Sequence, residues 1–131
     1  MRRILILENY PPTRQALAVA LGRAGWEATL VETDHEAVTM LEQEAYDILL
    51  LDVDVPTGDG WRVLQALQAA HHTIPVVALI GAEGMSRQRA LALGACIVLA
   101  KPVGRKALLA GVRAALRNPR GNEEPTPVWG A

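Results

Sequence analysis

Glu8 and Asn9 follow the apolar run ILIL, Asp52 closes YDILLLD with Asp54 two residues on, and Lys101 follows ACIVLA and precedes Pro102. A run apolar at every position is the pattern of a strand covered on both faces. Polar groups at its end then stand at the mouth of a sheet. Any one strand-end carboxylate is ordinary, because Asp and Asn start turns and cap helices there. Glu8, Asp52, Asp54 and Lys101 together, each at the same end of its own run, point to a site. Like charges over a low-dielectric floor raise one another's pKa unless a cation joins them. Lys101 is one such cation, and Mg²⁺ would be another.

Positioning these groups takes a sheet whose strands end side by side. Five apolar runs alternate with five amphipathic stretches: ILIL with TRQALAVALGRAG, EATLVE with TDHEAVTMLEQEA, YDILLLD with WRVLQALQAAH, IPVVALI with SRQRALALG, and ACIVLA with VGRKALLAGVRAALR. Thr33 or Asp34 is the cap expected for the second helix. Serial β–α units imply an α/β fold, a doubly wound parallel sheet with helices on both faces. Ligands of such sheets bind at the carboxyl ends of the strands.

The 131 residues suit one domain, and 50% hydrophobic with 21% charged is the balance of a globular chain. No apolar run approaches the roughly 18 residues of a membrane span. The N-terminal MRRILILENY imitates a signal peptide but meets Glu8 too soon. Cys96 is the single cysteine, which excludes a disulfide framework or zinc cluster within the chain and suits a core position. A cytoplasmic, soluble protein is expected. Residues 1–60 carry 11 acids and 4 bases, and residues 61–131 carry 3 acids and 9 bases, which predicts a basic flank. From Asn118 the composition shifts to NPRGNEEPTPVWGA, so residues 1–117 read as the domain and 118–131 as a tail. Trp129 in that tail either dangles or docks on this chain or a neighbour.

ILILENY, YDILLLDVDVPTGDGW, IPVVALI, LGA and AKP together resemble the receiver domain of two-component response regulators, over about residues 2–117. The resemblance implies a five-stranded sheet of order 2-1-3-4-5. It implies phosphoryl transfer from a histidine kinase phosphohistidine to Asp52, with Mg²⁺ required, and Lys101 pairing with the phosphoryl group. It also implies a cis Lys101–Pro102 bond. Glu8, Asn9, Asp52 and Asp54 are the Mg²⁺ candidates.

Departures from that pattern are specific. The family usually has two acids where this chain has Glu8 and Asn9, and Asn9 offers a neutral carbonyl. It usually has Thr or Ser where this chain has Ile80, and Tyr or Phe where it has Val98, so both parts of the usual switch relay are missing. Asp54, two residues past Asp52 on an extended chain, should point to the same side. There it could restore charge for a cation or repel an incoming phosphate.

The resemblance implies partner binding or dimerisation through helices 4 and 5, where Arg87, Arg89, Arg105, Lys106, Arg113 and Arg117 lie. No recognition-helix module is present, so direct nucleic-acid binding is not expected. His71 and His72 read as a solvated pair ending the third helix. The residues favour a protein-interaction module with weak or uncoupled phosphorylation, working with a histidine kinase or other signalling protein. The alternative is a working phosphoacceptor at Asp52. A phospho-aspartate hydrolase fits DVD superficially, but the Lys–Pro and PTGDGW context favours a receiver and no enzyme.

Overall fold

A computed structural model describes residues 1–54, 56–81 and 85–119. Its elements follow the order read from the apolar runs: β1 (Arg3–Leu7), α1 (Pro11–Arg23), β2 (Glu27–Val31), α2 (Asp34–Gln43), β3 (Ile48–Asp52), α3 (Asp59–Ala69), β4 (Val76–Ile80), α4 (Ser86–Ala92), β5 (Ile97–Ala100) and α5 (Arg105–Arg117). The five strands are parallel and ordered β2-β1-β3-β4-β5, as the resemblance implied. Trp129 lies outside the described residues.

Successive side chains of a strand point to opposite faces, so each fully apolar strand feeds two cores. Leu5, Leu7, Leu49, Leu51, Ala78 and Ile80 pack with Ala37 and Leu41 of α2, Val63 and Leu64 of α3 and Ala90 of α4. Ile4, Ile6, Ile48, Leu50, Val77 and Leu79 pack on the other face with Leu17 and Leu21 of α1 and Leu108 and Val112 of α5. Burying each such Leu or Ile is worth roughly 1.5–3 kcal/mol, which is why these strands carry no polar residue before their ends.

The starts of α1, α3 and α5 each differ from the sequence reading by two residues. α1 begins at Pro11 because proline at the first helical positions lacks only N–H groups that would have no partner anyway. Thr33 is the cap of α2: its Oγ1 accepts from the Glu36 N–H at 3.1 Å, and Glu36 Oε1 accepts from the Thr33 hydroxyl. α3 starts at Asp59, whose carboxylate accepts from the Thr57 hydroxyl and from Arg62. α3 ends at Ala69, so His71, at φ 52°, and His72 lie past it, both exposed.

Candidate functional site

The period-2 rule that sorts the core also sorts the site. Ile4 and Ile6 lead to Glu8, Ile48 and Leu50 to Asp52, and Ile97 and Leu99 to Lys101, all on the α1–α5 face. The ladder continues past the strands, with Glu8 N–H donating to the Val31 carbonyl and Lys101 N–H to Ile80. Lys101 Nζ donates to Asp52 Oδ1 at 3.0 Å and to Oδ2 at 2.8 Å. The Lys101–Pro102 bond is cis.

Glu8 and Asp52 are only 2% and 3% exposed. Glu8 Oε1 accepts from the Tyr10 N–H at 3.1 Å, while Oε2 is buried with no hydrogen-bond partner among the described residues. Burial first and the neighbouring Asp52 carboxylate second hold the Glu8 carboxyl up at about 7; the Tyr10 amide and the Lys101 ammonium pull the other way.

All five residues singled out from the sequence line one cleft of about 400 Å³: Glu8, Asn9, Asp52, Asp54 and Lys101. Tyr10, Thr13 and Pro56 complete its wall, and nothing in their types marked them beforehand. Gly60 was also missed. A Cβ there would lie 2.2 Å from the Asp52 carbonyl oxygen, so α3 packs directly against the backbone that carries Asp52.

Asp54 lines the same cleft as Asp52 but does not continue its strand. β3 ends at Asp52, and Asp54 lies in a turn, where the two-residue alternation of an extended chain no longer applies. Its backbone N–H donates to Asp52 Oδ1 at 2.9 Å, but its carboxylate reaches across to the β4–α4 connection. There Oδ2 accepts from the Gly81 N–H and Oδ1 from the Ser86 hydroxyl at 3.2 Å. Among the described residues no three acidic, His or Cys side chains are arranged to hold a metal. Glu8, Asn9, Asp52 and Asp54 remain the candidate cation ligands, with the Asp54 carboxylate already engaged by the Gly81 N–H and the Ser86 hydroxyl. An unpartnered buried oxygen beside a second carboxylate still suits Mg²⁺, which is commonly held by one or two carboxylates with water or phosphate oxygens.

Ile80 and Val98 lie on the opposite face, both in the α2–α3–α4 core and only 5% and 7% exposed. At these positions the structure has neither a hydroxyl nor a ring.

Residues 4–113 match the response regulator receiver domain family, and the chain belongs to it. Receiver domains act in two-component systems with histidine kinases and typically bind Mg²⁺ at an acidic pocket. The chain is 39% identical over 122 residues to the transcriptional activator protein IrlR of Burkholderia pseudomallei, covering 92% of this chain and 53% of that protein. It is 35% identical over 106 residues to the sensor histidine kinase RcsC of Salmonella typhi, covering 80% of this chain and 11% of that protein. It thus spans about half or less of these relatives. A two-component response regulator from Clostridium difficile has the same fold, with a TM-score of 0.80 and 28% identity over 90% of this chain and 98% of that one. No helix among the described residues is long and apolar enough to cross a membrane.

Proposed function

We propose that this receiver works mainly as a protein-interaction module, with phosphorylation at Asp52 weak or uncoupled from any rearrangement of α4, β5 and α5. The observation that carries this reading is the placement of Ile80 and Val98. Both are packed into apolar core on the face opposite Asp52, so a group added to Asp52 has no polar contact with either. A ligand shifts an equilibrium only through contacts that differ between the states. The module has no substrate of its own to turn over, and the cytoplasm is the compartment that suits a kinase partner.

The chemistry open to the cleft is limited and balanced. An Asp52 oxygen would attack phosphorus, the P–N bond of a phosphohistidine would break, and the histidine nitrogen would leave with the electron pair and take a proton. Lys101 would shift one of its two hydrogen bonds from Asp52 to the phosphoryl oxygens. Mg²⁺ held by Glu8, Asp52 and the Asn9 carbonyl would supply charge to offset those oxygens. The second reading, a working phosphoacceptor, is favoured by the intact Lys101–Asp52 pair.

Acetyl phosphate labelling with Mg²⁺, followed by amide NMR of the beryllofluoride adduct, tests the choice. Slow labelling and shifts confined to the surroundings of Asp52 and Lys101 are expected. Rapid labelling with large shifts across residues 85–117 would establish the second reading instead.

A further inference from the structure

Asp54 bonds residues on both sides of the β4–α4 connection. Its N–H is bonded to Asp52, and its two carboxylate oxygens take the Gly81 N–H, just past β4, and the Ser86 hydroxyl, on the first residue of α4. We propose that Asp54 is a positioning residue that acts as a built-in anion: it ties Gly81, just past β4, to Ser86 of α4 and opposes the arrival of a phosphoryl group on Asp52. This extends the proposed function, because it takes Asp52 as the acceptor and explains why the α4 face would be set without phosphorylation.

A phosphoryl group on Asp52 adds negative charge beside a carboxylate that cannot retreat without abandoning two hydrogen bonds. Carboxylate hydrogen bonds are roughly twice as strong as neutral ones, so retreat is costly. Donors near the added oxygens would have to offset that charge. Lys101 already serves Asp52, the Asp54 N–H does the same, and the Gly81 N–H is occupied by Asp54. The turn following β3 therefore holds a fixed charge where a transient one would otherwise be stabilised. It also ties β3 to α4 across β4, a link that neither Ile80 nor Val98 can supply.

Two measurements on Asp54→Ala and Asp54→Asn test this. In hydrogen exchange, Asp54→Ala should speed exchange of the Gly81 amide and the α4 amides at least tenfold, with β1 and β3 unchanged. Asp54→Asn should keep part of the protection, since its amide oxygen still accepts from Gly81. In acetyl phosphate labelling, both variants should label at least threefold faster than the parent, because both lose the charge. Unchanged exchange in Asp54→Ala overturns the tether. Labelling no faster than the parent in either variant, including no labelling at all, overturns the opposing charge. A parent that labels rapidly with α4 shifting would sink the proposed function instead, and the variant-to-parent differences would still judge Asp54.

Discussion

Lys101 reaches Asp52 with one ammonium shared between both carboxylate oxygens, at 2.8 and 3.0 Å, across the width of β4. Asp52 is almost completely buried and the Lys101 side chain is 30% exposed, so the pair lies at the boundary of core and solvent. It also bears on Glu8, whose carboxyl Lys101 draws down against the upward push of burial and Asp52. Three groups from three strands thus share one electrostatic balance.

Removing the cation should upset that balance. Lys101→Met leaves two buried carboxyls facing each other, and breaking a buried pair is strongly destabilising. With Lys101 partly in water, a loss of roughly 1–3 kcal/mol is expected in urea denaturation. Adding Asp52→Asn to Lys101→Met should recover much of it, because the uncompensated charge is then gone. A double variant as unstable as the sum of the two singles would show that the residues do not interact.

Glu8 gives the fold a pH dependence of definite sign. Its folded pKa of about 7 lies above the ordinary 4.5. Below pH 4.5 both folded and unfolded chains hold the proton, and Glu8 costs little. Between there and 7 the unfolded chain releases its proton first, so stability falls as pH rises and levels off above 7. The loss is on the order of 3 kcal/mol at about 1.4 kcal/mol per pH unit. Urea midpoints of Glu8→Gln and the parent, compared from pH 5 to 8 without divalent cations, should diverge in favour of Glu8→Gln as pH rises. A constant difference would mean Glu8 stays ionised throughout.

Much of this site was legible because strands impose direction. ILIL and YDILLLD, apolar at every position, marked strands covered twice, and the residue after each had to stand at the sheet's end. That logic located Glu8, Asp52 and Lys101. It does not extend to Asp54, because alternation governs an extended chain and β3 has ended. Gly60 and Thr13 were invisible for another reason. Their roles depend on what α3 and α1 lie against, which local sequence does not record.

The cation corner should respond to one added charge. Replacing Asn9 by Asp restores a second acid beside Glu8 and should tighten Mg²⁺ at least tenfold, a modest 1.4 kcal/mol for a charge beside a divalent ion. Titration followed by Trp61 fluorescence reads it, with a variant lacking Trp129 as control. Equal affinities would show that the carboxylates already present suffice. The parent should also bind more tightly at pH 8 than at pH 6, since Glu8 must lose its proton before it can ligate.

Gly60→Ala should be severe. Its new methyl would lie 2.2 Å from the Asp52 carbonyl oxygen and 2.5 Å from Val53 Cα, both backbone atoms that cannot step aside. A loss of about 3 kcal/mol is expected. Gly111→Ala, which meets the flexible tip of Leu99 at 2.9 Å, should cost less. Thermal melts of the two variants compare them directly, and similar losses would mean that α3 shifts as easily as Leu99 turns.

The basic flank is the surface on which the proposed interaction would fall, but its cations are not equivalent. Arg87 reaches the Val98 carbonyl at 3.4 Å, and the Arg89 guanidinium stacks 4.1 Å over the Trp61 ring, so both also hold α4 in place. Arg105, Lys106 and Arg113 are also exposed, on α5, around a shallow groove lined by Ala107, Leu109 and Ala110. An acidic partner should therefore bind chiefly through α5. Exposed charges are screened within about 10 Å at 0.1 M salt, so affinity should fall as salt rises. Reversing Lys106 and Arg113 to Glu should weaken binding at least tenfold while leaving the melting temperature near that of the parent. Arg89→Glu should lower both. On the proposed function, Asp52→Ala should bind as well as the parent. If Asp52→Ala remains folded and loses its partner, the fixed surface is the wrong account and phosphorylation controls the face after all.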